Sequence, residues 1–208
     1  MLNGKKIVVI MPAYNAEQTL KQTYDEIYRE FVDEIILVDD SSLDNTKELS
    51  KSLKITTIVH KENKGYGANQ KSCYRAALKA GADIVIMLHP DYQYTPKLIP
   101  AMASMMAFEQ YDTVLASRML GRSAIKGGMP LYKYIANKFL TAFENFFLQE
   151  KLSEYHTGFR GFTREILEKL PLESCNDDFI FDNEILALIL FNKYNIGEIS
   201  CPTKYFKE

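Results

Sequence analysis

Short apolar runs alternate with amphipathic stretches along most of the chain. "KIVVIM" (6–11), "EIILVDD" (34–40), "ITTIVH" (55–60), "ADIVIML" (82–88) and "DTVLAS" (112–117) are brief and mostly rich in β-branched residues, which predicts buried strands. Between them the apolar residues recur at helical spacing. Over 16–31, Leu20, Tyr24, Ile27 and Phe31 share one face, with Asn15 as the predicted N-cap and Gln18 three residues on. Further helices are predicted over 45–53, over 67–81, where Gly81 closes the C-terminus, and over 96–108. Strands alternating with helices predict an α/β fold, a mostly parallel sheet covered on both faces.

After residue 120 the pattern changes. Residues 121–130 carry three glycines and read as a mobile loop. A long aromatic-rich helix follows over 131–149, then a polar-aromatic loop, "EYHTGFRGF" (154–162). Two helices are predicted over 164–170 and 179–194, and a last strand over 196–206. Phe139, Leu140, Phe143, Phe146, Phe147 and Leu148 recur at helical spacing, which reads first as core packing. A surface laid against a membrane or a lipid is the alternative. The whole, 1–208, reads as one domain: a ligand-binding half over 1–118 and a second half over 119–208. The abrupt stop at Phe206-Lys207-Glu208 suggests a domain cut from a longer protein.

Composition narrows the classes. Hydrophobic residues make up 47% and charged residues 25%, an ordinary globular balance. The net charge of -2 offers no bulk attraction for nucleic acid. No stretch reaches the roughly 18 apolar residues of a membrane span, and the N-terminal apolar run is too short for a signal peptide. Cys73, Cys175 and Cys201 are widely spaced and give neither a disulfide framework nor a zinc knuckle. A soluble chain in a reducing, cytoplasmic setting is expected, at most lying against a membrane.

In an open parallel sheet, ligands bind beyond the carboxyl ends of the strands. The residues standing there are Pro12, Tyr14 and Asn15; Asp39, Asp40 and Ser41; Asn63, Lys64, Gly65 and Gly67; His89, Asp91 and Gln93; and Ser117 and Arg118. Acidic, amide and basic groups thus converge on one edge. A carboxylate at the end of an apolar strand suits the N–H donors of a base or the hydroxyls of a ribose. Neither GxGxxG nor GxxxxGK[ST] occurs, so bound phosphates would need a cation and basic side chains. In an extended His89-Pro90-Asp91, the imidazole and the carboxylate face one point and suit Mn2+ or Mg2+, with Mn2+ favoured by the histidine. The alternative leaves Asp91 as the sole ligand, with His89 ordering the loop.

"PAYNAEQTL", "VDDSSLDNT", "NKGYGAN", the Asp of "HPDYQY", the Arg of "ASR", "HTGFRGF" and "FDNEIL" occur in this order. The run resembles family 2 glycosyltransferases of the GT-A fold, most of all the polyprenyl-phosphate sugar transferase branch. The resemblance implies a nucleotide-sugar donor (UDP- or GDP-linked), a divalent cation and inversion at the anomeric carbon. By position it implies that Pro12, Tyr14, Asp39 and Asp40 contact the nucleoside. Asp91 would be the surviving acid of the D-x-D metal motif, and Gln93 would lie near the sugar or diphosphate. Arg118 and Arg160 would neutralise the diphosphate or an acceptor phosphate, and Glu184 would be the acid of the late helix. This chain departs from the pattern at His89 and Pro90, in place of the first acid and the middle residue, and at Ala16, where relatives often carry Glu.

A hydroxyl acceptor would need a general base, for which Asp182, Glu184 and His156 are candidates. A phosphate acceptor needs none, and Arg160, Lys126 or Arg122 would hold it. A lipid phosphate is the favoured acceptor and a saccharide hydroxyl the alternative. A nucleotidylyltransferase is disfavoured, because no Gly-rich, Arg- or Lys-bearing loop follows the first strand. A non-catalytic nucleotide-sugar-binding domain, with His89 marking a lost metal site, is the remaining alternative.

Overall fold

Neighbouring residues of the first strand point into different layers. Ile7, Val9 and Met11 pack in one core and Val8 and Ile10 in the other, as period-2 alternation requires of a strand buried on both faces. The structure is a computed structural model that describes residues 1–121 and 123–205. In chain order it runs β1 (Ile7–Ala13), α1 (Glu17–Asp25), β2 (Glu34–Asp39), α2 (Thr46–Ser52), β3 (Thr56–Val59), α3 (Tyr66–Lys79), β4 (Ile84–Met87) and α4 (Ile99–Ala107). There follow β5 (Thr113–Ser117), α5 (Ser123–Lys126), α6 (Leu131–Leu148), β6 (Arg160–Thr163), α7 (Arg164–Lys169), α8 (Phe181–Phe191) and β7 (Ile196–Ser200).

The described strands form one seven-stranded sheet in the order β3-β2-β1-β4-β6-β5-β7. All pairings are parallel except those of β6, which is antiparallel to both β4 and β5. One core contains Leu20 of α1 and Ile99, Met102, Ala103 and Met106 of α4. The other contains Cys73, Tyr74 and Ala77 of α3, Ile166 of α7, and Phe181, Ile185 and Ile189 of α8. The strand order reverses direction between β1 and β4, which opens a crevice at their carboxyl ends. Pro12 is tolerated in a central strand because the pairing of β1 with β4 runs only from Ile7 to Ile10.

Five sequence expectations change. The helix expected over 16–31 ends at Asp25, and Phe31 lies in a separate 3-10 turn, Arg29–Phe31. Asn15 is no cap: it takes a left-handed φ of 52°. Thr46 Oγ1 and Asp44 Oδ2 instead accept from Ala16 N and Glu17 N at 2.7 and 3.0 Å, so a neighbouring loop caps α1. The loop expected over 154–162 delivers β6, which fills the gap between β4 and β5. Arg160, Gly161 and Phe162 lack a strand-like apolar run, so only the sheet's open edges reveal the strand. The last strand stops at Ser200, and Phe206 to Glu208, like Arg122, lie outside the described residues.

The fifth change concerns α6. Its aromatic face is not core: Phe139 and Phe146 are 70% and 78% exposed, and Leu131, Tyr132, Ile135, Phe143 and Phe147 are exposed with them. Among the described residues no helix is long and apolar enough to cross a membrane. Cys73 and Cys201 are buried and Cys175 is partly so.

Candidate functional site

Two clefts meet at the carboxyl ends of β1 and β4. The first, about 430 Å³, is lined by Pro12 to Ala16 at the end of β1 and just beyond it, Asp40 after β2, Asn63 and Gly65 before α3, Tyr66 and Asn69 in its first turn, and His89 to Asp91 after β4. The second, about 390 Å³, is lined by Gln93, Tyr94, Arg118, His156, Gly158, Asp182 and Asn183. Tyr66, His89, Asp91 and Phe179 line both. Most of the predicted site residues therefore converge, and they divide between two compartments with His89 and Asp91 on the shared wall.

Each predicted residue has a definite place. Tyr14 and Asn15 are exposed in the first cleft. Asp40 is buried and accepts from His60 Nδ1 at 2.6 Å, Lys64 N at 3.0 Å and Gly65 N at 3.1 Å. It therefore fixes the turn that leads into α3. Asp39 lines neither cleft and is held by the Ser42 hydroxyl and backbone N–H. Gly67 also lies off the cleft surface. A Cβ there would come within 2.5 Å of Asn176 O and 2.8 Å of Phe181 Cβ, so this glycine lets α3 approach the segment before α8. Asn63 faces the first cleft and Gln93 the second.

The His89-Pro90-Asp91 segment is not extended. It enters a turn at Pro90, and Tyr92 takes a φ of 58°. Its two ligand candidates nevertheless share one space. Tyr66 Oη donates to Asp182 Oδ2 at 2.8 Å, so its contact with His89 Nε2 at 3.0 Å makes that nitrogen the donor. Burial, and then the Asp182 carboxylate, push the Tyr66 phenol well above its ordinary value, which keeps it protonated. The lone pair of His89 then sits on Nδ1. Asp91 is exposed and spends one oxygen on Gln93 N at 3.0 Å. Among the described residues no three His, Cys, Asp or Glu side chains cluster as a metal cage. The donor set fits a cation held by one or two side chains and completed by a ligand's phosphates and water, not a closed structural metal.

The arginines stand differently from expectation. Arg118 donates from Nε to Glu154 Oε1 at 2.7 Å and from NH2 to the same oxygen, and also reaches His156 O and Tyr205 Oη. Glu154 is fully buried, so this pair is a structural clamp at the edge of the second cleft. Arg160 is 1% exposed and lines neither cleft. Its guanidinium donates to the carbonyls of Tyr155, Thr157 and Asp182 at 2.6 to 2.8 Å. Its position on a strand inside the sheet makes it a brace for the loop and for α8, not a surface cation. Lys126 is exposed at the end of α5 and lines neither cleft.

Asp182 faces the second cleft, but both its oxygens are engaged, by Tyr66 Oη and by Gln70 Nε2 at 3.0 Å, with Arg160 NH1 at 3.8 Å. Glu184 is not brought to the site. It accepts from Asn176 N at 2.6 Å and faces a separate apolar groove with Phe147, Leu188 and Phe191. His156 lines the second cleft, its Nε2 3.4 Å from Glu144 Oε2 of α6. Several residues in the clefts went unremarked in the sequence. Asn69 is buried in the first cleft, with an Oδ1 that has no hydrogen-bond partner among the described residues, suited to a ligand N–H. Tyr66 stacks on His89 and Phe179, with centroids 5.4 and 4.7 Å away, and Asn183 completes the second cleft. Tyr66 and Asn69 lie three residues apart inside "NKGYGAN", one helical face, which was the available signal.

A sequence model of the family described as Glycosyl transferase family 2 matches residues 8–171. The chain is 28% identical over 218 residues to the UDP-N-acetylglucosamine–dolichyl-phosphate N-acetylglucosaminyltransferase of Methanococcus voltae, covering 97% of this chain and 86% of that one. It is 21% identical over 203 residues to the polyprenol monophosphomannose synthase of Mycolicibacterium smegmatis, covering 94% and 76%. Among solved structures, glucosyl-3-phosphoglycerate synthase from Mycobacterium tuberculosis, in complex with Mn2+, UDP and glucosyl-3-phosphoglycerate, superposes with a TM-score of 0.75 at 19% identity. That match covers 99% of this chain and 73% of the other, and the shared fold is GT-A.

Proposed function

Because the chain belongs to glycosyl transferase family 2, we propose that it moves a sugar from a UDP- or GDP-sugar to a polyprenyl phosphate, with inversion at the anomeric carbon. The observation that carries this reading is the meeting of two clefts at His89 and Asp91. The first receives the nucleoside, against Pro12 to Asn15, the turn braced by Asp40, and the unpaired Asn69 oxygen. The second receives the acceptor, so that the anomeric carbon lies at the shared wall and the acceptor attacks opposite the leaving diphosphate. A divalent cation, Mn2+ in preference to Mg2+ because an imidazole is present, would be held by Asp91 and His89 and would stabilise charge on that diphosphate.

The state of Asp182 supports a phosphate acceptor. An anionic nucleophile needs no general base, and Asp182, one of the three base candidates, has both oxygens engaged. The names of the two curated relatives support the same acceptor class. The exposed apolar face of α6 supports peripheral contact with the membrane that would carry such a lipid.

Thermal unfolding tests the donor half of the proposal. The panel is UDP-, GDP- and dTDP-sugars with Mn2+, Mg2+ or EDTA, on wild type and on Asp91→Ala. A donor at a hundredfold excess over its Kd adds about 2.7 kcal/mol. Stabilisation by one nucleotide class, dependent on Mn2+ and lost in Asp91→Ala, is expected. A folded wild type that no donor stabilises with either metal would sink it.

A further inference from the structure

Both arginines that the resemblance assigns to phosphate are occupied. Arg118 is clamped by the buried Glu154 carboxylate, and Arg160 is spent on three backbone carbonyls beneath α8. An acceptor phosphate in the second cleft still needs donors that carry charge. Among the described residues lining that cleft, the side chains that can be cationic are Arg118, His89 and His156. His89 spends Nε2 on Tyr66 and faces the donor side as well. His156 remains.

Its surroundings set it apart. His156 Nε2 and Glu144 Oε2 are 3.4 Å apart, and both atoms are buried without a hydrogen-bond partner among the described residues. A buried imidazole nitrogen facing a buried carboxylate oxygen, close but not closed into a good hydrogen bond, costs stability as it stands. A change that lets the ring donate at both nitrogens relieves that cost. The backbone of His156 is fixed, since its carbonyl accepts from Arg118 NH2 at 2.9 Å. The ring is therefore the part free to settle. Glu144 itself is pushed up by burial, against the pull of His156 and then Arg160.

We propose that His156 is the side chain that receives the acceptor's phosphate, and that Glu144 is a positioning residue that holds the ring by Nε2 and presents Nδ1 to the second cleft. The inference rests on the phosphate-acceptor reading above. Bound phosphate accepts from Nδ1–H while Glu144 accepts from Nε2–H, so one imidazolium satisfies two anions. Glu144 lies on α6, so the group that aims His156 belongs to the helix whose apolar face is exposed and open to a lipid. The chemistry recognised is an anionic phosphate group, whether the monoester of a prenyl phosphate or free inorganic phosphate.

The test compares wild type, His156→Gln, Glu144→Gln and Glu144→Asp. Steady-state kinetics use a short-chain prenyl phosphate as acceptor at saturating donor, and calorimetry measures binding of that acceptor and of inorganic phosphate. Replacing a charge-assisted hydrogen bond predicts an acceptor KM raised by about tenfold or more in His156→Gln, with donor KM unchanged. Glu144→Gln moves the same constant in the same direction by a smaller factor, and Glu144→Asp restores part of it. Equal loss of prenyl phosphate and inorganic phosphate binding in His156→Gln locates the contact at the headgroup; loss of neither overturns the assignment. A fall in kcat at unchanged acceptor KM would make His156 a base and also overturn it. A wild type that uses a hydroxyl acceptor and no prenyl phosphate overturns the phosphate-acceptor reading instead. Retained inorganic phosphate binding, lost in His156→Gln, would still support the His156 site in that case.

Discussion

Arg118 illustrates how little a residue's type says about its task once it is buried. Arg118 lines the second cleft, yet its guanidinium is held by Glu154, which has no exposure at all. A lone carboxylate there would be untenable, and so would a lone guanidinium. Breaking such a pair from one side costs about 3 to 5 kcal/mol, because the partner is left charged and buried. Glu154→Gln should therefore lower the urea midpoint strongly, even though the substitution is nearly isosteric. A midpoint within error of wild type would show that the pair does not act as a clamp. His60 is a quieter case of the same logic: it bridges Asp40 and Ser72 and steadies the turn into α3 without facing the first cleft.

At the scale of elements, the site depends on how closely α3 is allowed to approach the segment before α8. Gly67 N and Ala68 N both donate to Asp177 O, at 2.8 and 3.1 Å, so the first turn of α3 is capped by that segment. Asp178 and Phe179, the next two residues, line the first cleft. A methyl at position 67 would collide with backbone atoms that cannot swing aside. Overpacking of this kind costs about 1 to 3 kcal/mol. Gly67→Ala should lower the melting temperature and also weaken donor-induced stabilisation, since the displaced segment is a cleft wall. Unfolding scans with and without donor separate the two effects, and unchanged donor stabilisation would remove Gly67 from the site's architecture. The same scale explains β6. Its residues carry no strand signature, but the antiparallel pairing with β4 and β5 buries Arg160 where it can brace α8.

The whole molecule is tied together by carboxylates that link distant segments, and this gives its stability a pH dependence. Asp33 accepts from the N-terminal ammonium at 2.7 Å and from Ile7 N at 2.8 Å; Asp44 accepts from Glu17 N and from Thr46 N, each at 3.0 Å. Burial acts to raise both carboxyls, but the hydrogen bonds, with the ammonium for Asp33 and with Thr46 and Glu17 for Asp44, outweigh it and hold both below their ordinary value. A carboxyl depressed in the folded state stabilises above the unfolded value, about 4, and that contribution is lost as pH falls through the folded value. Urea midpoints should therefore decline below about pH 4, and Asp44→Asn should flatten part of that decline. An identical pH profile in the variant would exclude Asp44 as a source.

The sequence by itself determined the layers of this fold. Period-2 apolar runs and helical spacing are local properties, and they specify strands, helices and the parallel core without reference to distant contacts. They also specified which edge of the sheet carries the clefts, because strand ends are visible in the chain and "PAYN", "VDDSS" and "NKGYGAN" stand at them. Only the tertiary structure decided which charges are available. Arg118 and Arg160 look alike in sequence to any surface cation, and their partners, Glu154 and the carbonyls of Tyr155, Thr157 and Asp182, meet them through folding. Glu184 and Asp182 lie two residues apart on one helix, yet α8 turns one to the second cleft and the other to an apolar groove. The Glu144–His156 pair and the outward-facing aromatics of α6 belong to the same class. Burial and pairing are properties of what surrounds a residue, and for these side chains the surroundings come from elsewhere in the chain.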